Sequence, residues 1–291
     1  MLADNNYTPP LVSVLMTAYN REMYIAEAIE SVLASTYLNF ELIVVDDFSK
    51  DSTVDIVRDF VKKDPRIKLF VNEKNLGDYP NRNRAAGYAS GELLMMVDSD
   101  DTIFKDSIAN CVALFQKYPT AYFGITCVNN DNMSILFSAN EAIGNHFFKH
   151  PILMKGPGGT VIDRQFFHEI GGYPVKYGPV NDMYFNLKAA SKTDVILIPF
   201  EYIYYRRHEG QEINNFKSYL YNSYRYLRDA LVELDFALTK TEISWIDKKN
   251  KRRFVTNITK HLFITGSIVE TGEVLKLAKF SFKDFLKGVF H

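Results

Sequence analysis

The chain has 291 residues, of which 47% are hydrophobic and 24% charged, with a formal net charge of −1. That composition allows a sizeable core in one large domain, or in one domain with a helical appendage. No apolar run approaches the roughly 20 residues needed to cross a bilayer. Residues 1–10 lack the basic start and apolar stretch of a signal peptide, so a cytoplasmic or peripheral chain is expected.

Leu11–Thr17 (LVSVLMT) is short, apolar and β-rich, which predicts a buried strand broken at Tyr19-Asn20. Residues 22–35 then place Ile25, Ala28, Ile29, Val32 and Leu33 on one helical face. Phe40–Val45 predicts a second strand, ended by Asp46-Asp47, and Ser49-Lys50-Asp51-Ser52 offers cap-type residues for a helix carrying Val54, Val57 and Val61. Ile67–Val71 predicts a third strand. A helix follows with Pro80 near its start, where a missing N–H is harmless. Leu93–Val97 predicts the fourth strand.

This alternation implies an α/β fold, with a mostly parallel central sheet flanked by helices. Such sheets bind ligands at the carboxyl ends of their strands. Three polar loops fall at that edge: Thr17–Asn20, Asp46-Asp47 and Asp98–Asp101. The last of these, Val97-Asp98-Ser99-Asp100-Asp101, gathers carboxylates that repel one another. A divalent cation carrying a diphosphate would relieve the repulsion, because hard cations bridge carboxylates to phosphates. Capping of the next helix is the other reading.

Beyond about residue 120 the alternation becomes irregular. Lys155–Thr160 is a Gly/Pro loop and Gly171–Pro174 a turn. A helix is expected from near Asp182, strands at Val195–Pro199 and Tyr202–Tyr205, and helices from about residue 211 to the end. Cys111 and Cys127 show neither metal-ligand spacing nor a disulfide framework, which fits a reducing compartment. Cys111 lies on the apolar side of an expected helix.

Val12–Thr53, Asn75-Leu76-Gly77, Asn81–Arg84, Ser90-Gly91-Glu92 and Val97–Asp101 occur in an order and spacing that resembles the family 2 glycosyltransferases. The resemblance runs from about Pro10 to His208. It implies the GT-A fold, with residues 1–210 as the nucleotide-sugar-binding and catalytic domain and 211–291 as a helical extension. It further implies an inverting, non-processive transferase acting on a nucleotide diphosphosugar donor. Thr17 and Tyr19 would line the base and Asp47 would accept from a base N–H, which favours uracil. Arg82 would lie near the base or diphosphate. Asp98 and Ser99 would belong to the nucleotide site. Asp100 or Asp101 would ligate Mn²⁺ or Mg²⁺, and His208 would contact the metal or diphosphate or else face solvent.

The resemblance also implies a catalytic base in Asp182. The family's usual Glu-Asp pair is here Asn181-Asp182, and by spacing alone the pair could be an N-cap. The expected acceptor is a glycan or lipid-linked glycan, as in bacterial surface polysaccharide synthesis. A non-catalytic nucleotide-sugar-binding protein is the alternative. An oxidoreductase finds no Gly-x-Gly-x-x-Gly after the first strand, and a nucleotidyltransferase finds no Gly-rich basic loop there.

Charge is unevenly spread. Residues 240–291 hold 11 of the 34 Lys+Arg and 5 of the 35 Asp+Glu, a balance of +6 against −7 for the rest. Within Lys276–His291, Phe282, Phe285, Leu286 and Val289 recur at helical spacing beside Lys279, Lys283 and Lys287. A basic amphipathic helix of this kind either lies on an anionic membrane, at the inner face of the cytoplasmic membrane, or packs on protein, for instance in a homodimer. No nucleic-acid partner is expected.

Overall fold

A computed structural model describes residues 9–128, 133–208 and 216–290. The first half alternates as its periodicity requires: β1 (Val12–Ala18), α1 (Ile25–Leu33), β2 (Phe40–Asp46), α2 (Thr53–Val61), β3 (Ile67–Val71), α3 (Asp78–Tyr88) and β4 (Leu93–Met96). A two-residue strand, β5 (Thr102–Ile103), precedes α4 (Ser107–Lys117), β6 (Ala121–Thr126) and β7 (Ile135–Phe137). There follow α5 (Ala139–Phe148), β8 (Thr160–Asp163), α6 (Arg164–Glu169), α7 (Asn181–Ala190), β9 (Asp194–Ile198) and β10 (Ile203–Tyr204). The chain ends in α8 (Phe216–Glu233), α9 (Lys240–Thr265), α10 (Ile268–Ala278) and α11 (Phe282–Phe290). Of the helical stretch expected from residue 211, helix is described from Phe216 onward, and residues 211–215 and His291 lie outside the described residues.

Eight strands form one sheet in the order β3-β2-β1-β4-β8-β6-β9-β7, and β10 pairs with β5 in a separate antiparallel ribbon. Strands β3, β2, β1 and β4 are mutually parallel, with Val12 opposite both Phe40 and Leu93. β1 and β2 are buried on both faces, the environment their continuous apolar runs demand. β8 runs antiparallel to both β4 and β6. Helix α1 buries Ile25, Ala28, Ile29 and Val32, the face its spacing predicts. In α2 the expected stripe is narrower: Val57 is buried, whereas Val61, the last helical residue, is exposed.

Glu41 interrupts the apolar run of β2, yet it is 5% exposed. Its Oε1 accepts from Ser13 Oγ at 2.6 Å, the Ser90 amide at 2.7 Å and Ser90 Oγ at 2.8 Å, and its Oε2 lies 2.7 Å from Lys68 Nζ. Burial pushes this carboxyl up, but Lys68, Ser13 and Ser90 outweigh it and hold the pKa at about 2. Gly91 lies so close to β1 that a Cβ would sit 2.6 Å from the Leu11 carbonyl. Ser90-Gly91 is therefore a structural joint between β1, β2 and β4.

The chain divides into two compact units. The first comprises Met1–Ser138, Lys155–Tyr173 and Thr193–Arg206, and holds both sheets. The second comprises Ala139–Met154, Pro174–Lys192 and Arg207–His291. Its helical core joins Leu220, Tyr224, Phe254, Ile258, Val274 and Ala278, with Phe280 edge-on to Tyr224 and Phe254. Thr239 and Glu242 close a reciprocal capping box at the start of α9. The apolar spacing expected at Phe282, Phe285, Leu286 and Val289 lies on α11, which is separated from α10 by Lys279 in a left-handed conformation (φ 51°). Among the described residues, no helix is long and apolar enough to cross a membrane.

Candidate active site

The parallel strands β1, β2 and β4 bring three polar loops to one edge of the first unit. Asp98, Asp100 and Asp101 follow β4, and each offers a carboxylate oxygen within 4.8 Å of the others. Asp100 and Asp101 are buried, at 8% and 3% exposure. Burial, and then the adjacent charge of Asp98, push Asp101 up to about 7; a hydrogen bond from the Arg206 amide only partly offsets them. A group so placed is stabilised either by a proton or by a cation. Three buried or half-buried carboxylates, a donor set of oxygens, fit a hard divalent ion.

Three arginines surround the cluster. Arg82 Nη2 lies 2.6 Å from Asp98 Oδ1, and Arg82 Nε lies 2.8 Å from Asp78 Oδ1. Burial opposes the charge on Arg82, but Asp78 and Asp98 hold it firmly protonated. Arg21 Nε stands 3.2 Å from Asp100 Oδ2. The Arg206 amide donates to Asp101 Oδ1 at 2.9 Å, and its Nε donates to the Asp100 carbonyl at 3.0 Å. Ser99 is buried and its hydroxyl donates to the Thr17 carbonyl at 2.7 Å, tying the β4 loop to the end of β1. Tyr19, beyond the end of that strand, is 44% exposed, an aromatic surface open to a ligand.

Asp47, 3% exposed, has a structural task of its own. Its Oδ1 accepts from Asn72 Nδ2 and the Leu76 amide, and its Oδ2 from the Gly77 amide, each at 2.8 Å. Gly77 has φ 89°, a conformation that favours glycine, and it precedes the first residue of α3. Asp47 therefore fixes the entry to the helix that carries Arg82. Asn72 itself is 2% exposed, and its Oδ1 has no hydrogen-bond partner among the described residues. Asn72 and Arg21 were not anticipated as site residues. Asn72 and Arg21 follow the ends of β3 and β1, which was the available signal.

Asp182 and His208 belong to the second unit. Asp182 is buried in the first turn of α7, and its Oδ1 accepts from the Met183 amide at 2.8 Å. Asn181 serves the preceding turn: its Oδ1 accepts from the Tyr177 amide at 2.9 Å and its Nδ2 donates to the Gly178 carbonyl at 2.7 Å. His208 is half-buried.

The family model for glycosyl transferase family 2 matches residues 13–171, more than half of the chain. Among curated relatives, the Escherichia coli UDP-Glc:alpha-D-GlcNAc-diphosphoundecaprenol beta-1,3-glucosyltransferase WfgD is 38% identical over 135 residues, 46% of this chain and 53% of the relative. The putative teichuronic acid biosynthesis glycosyltransferase TuaG of Bacillus subtilis is 40% identical over 113 residues, 39% of this chain and 45% of the relative. Such matches span about half of those relatives' own length. In fold, the chain is similar to S. aureus TarS 1–349 in complex with UDP-GlcNAc, with TM-score 0.72 and 22% identity over 96% of this chain and 81% of that one. It is also similar to the mannosyltransferase PcManGT from Pyrobaculum calidifontis in complex with GDP-Man and Mn²⁺, with TM-score 0.64 and 15% identity over 94% and 80%. The sheet order, the loops at its carboxyl edge and these likenesses agree: the fold is GT-A, and the chain belongs to glycosyl transferase family 2.

Proposed function

We propose that this chain is an inverting glycosyltransferase that moves a sugar from a UDP-sugar to a hydroxyl of a glycan or lipid-linked glycan in bacterial surface polysaccharide synthesis. The observation that carries the reading is the Asp98–Asp101 cluster with Arg82 beside it, at the carboxyl ends of parallel strands in a family 2 chain. The names of WfgD, a UDP-Glc transferase acting on a diphosphoundecaprenol acceptor, and of TarS with UDP-GlcNAc support the donor and acceptor classes.

Tyr19 packs against the base. Asp47 Oδ2, which accepts one hydrogen bond, retains acceptor capacity for a base N–H. Arg82 faces the diphosphate. Asp100 and Asp101, with Asp98, would hold Mn²⁺ or Mg²⁺, which when bound supplies positive charge to the leaving diphosphate. Asp182 takes the proton from the acceptor hydroxyl as its oxygen attacks the anomeric carbon opposite the leaving group. The amide at Asn181 has a local reason in its turn, and so does not by itself argue for a chain without transfer activity.

The deciding experiment measures nucleoside diphosphate release from UDP-, GDP- and dTDP-sugars, with Mn²⁺ and with chelator, alongside UDP binding. Metal-dependent release from a UDP-sugar is expected. Tight UDP binding with no turnover, even with lipid-linked acceptor supplied, would replace the reading with a binding protein.

A further inference from the structure

Helix α11 turns its faces the opposite way from an ordinary surface helix. Gly288 is pressed onto α9: a Cβ there would meet Val255 Cγ2 at 2.8 Å and the Lys251 carbonyl at 3.1 Å. One turn earlier Asp284 Oδ1 lies 3.2 Å from Lys251 Nζ, which also holds Asp247 Oδ2 at 2.6 Å. The inward face is thus a glycine and a paired carboxylate. That packing leaves Phe282, Phe285, Leu286 and Val289, spaced i, i+3, i+4, i+7, on the outward face at 37–76% exposure. A helix in a folded core buries such a stripe; here the stripe faces outward.

The charge around the stripe names its occupant. Lys283 and Lys287 flank it on α11, and Lys279 precedes it at the end of α10, all exposed. Lys276 and Lys279 also line an open cleft of about 600 Å³ with Arg225, Glu273 and Leu277. Glu273, the acid of that cleft, is paired with Lys217 at 3.0 Å. Apolar side chains ringed by exposed lysines complement acyl chains beneath anionic headgroups.

We propose that α11 and the end of α10 dock this protein on an anionic lipid bilayer, with Phe282, Phe285, Leu286 and Val289 entering the headgroup boundary and the lysines meeting the lipid phosphates. The inference goes beyond the transferase reading and does not depend on it. It is tested by flotation of the full chain with phosphatidylcholine vesicles, with and without phosphatidylglycerol. Binding is expected with phosphatidylglycerol, weakening as salt rises. Lys279→Gln/Lys283→Gln/Lys287→Gln should weaken binding on the order of a hundredfold, at about fivefold per lysine. Phe282→Ser/Leu286→Ser should weaken it by roughly tenfold per side chain. Circular dichroism and UDP binding of each variant show whether the fold is kept. Failure of the wild-type chain to float, or equal flotation of folded variants, would overturn the proposal. So would a dimer in sedimentation that Phe282→Ser/Leu286→Ser dissolves, which would assign the stripe to a second copy.

Discussion

Two buried carboxylate groups invite comparison, one in each unit. At the end of β4, Asp98, Asp100 and Asp101 are held by arginines from distant parts of the chain: Arg21, Arg82 and Arg206. At the start of α7, Asp182 sits in a turn organised by its own neighbours, with Asn181 bonded to Tyr177 and Gly178. The first arrangement gathers more negative charge than the local backbone can stabilise and balances it with long-range cations. One region sets a cluster of carboxylates against arginines, the other a single carboxylate within its own turn.

The largest test of that contrast is Asp182→Asn, which should lower transfer by about 10²–10⁴-fold while leaving UDP affinity unchanged. A transfer rate near wild type would remove Asp182 as base. Away from both sites, Glu41→Gln should cost about 2–3 kcal/mol at neutral pH, because the variant cannot keep the charge paired with Lys68. The sign follows from a depressed pKa: the contribution is fully present above about pH 4.5 and lost as pH falls toward about 2. Urea melts of both proteins at neutral and acidic pH should converge on acidification; parallel curves would refute the assignment. Asn181→Glu restores the family's usual pair but removes a donor from the turn, so a stability loss of about 1–3 kcal/mol is expected in thermal melts. No loss would show that the turn does not need the amide. The smallest effect belongs to Arg21→Gln. Freed of its pairing with Arg21, Asp100 should bind Mn²⁺ about fivefold more tightly, as read by electron paramagnetic resonance of free Mn²⁺. Weaker binding would mean that Arg21 supports the ion instead of competing with it.

The sequence displayed the parts of this molecule whose determinants are local. β1, α1, β2, β3 and β4 follow from apolar runs and one helical stripe, and the polar edge follows from their parallel order. The Asp98–Asp101 cluster was visible because its members are adjacent. Arg82 was placed beside it by the resemblance, but the pairing of Arg206 with Asp101 was not visible, since it spans 105 residues. The antiparallel insertion of β8 between β4 and β6 depends on pairing and leaves no periodic trace. Glu41 was hidden inside an apolar run, and only its contacts with Ser13, Ser90 and Lys68 explain how a charge survives there. The end of α10 left no trace in the sequence, because the backbone turns left-handed at Lys279, where neither glycine nor proline marks the break.

Arg206 is the last residue of the first unit. It is bonded at once to the Asp101 carboxylate, the Asp100 carbonyl and Glu27, immediately after the β5–β10 ribbon. In mechanical terms the carboxylate cluster is the anchor bolt at the chain's exit. The Arg206 amide and guanidinium both bond to residues of the cluster, so the carboxylates and the last residue of the first unit hold one another in place.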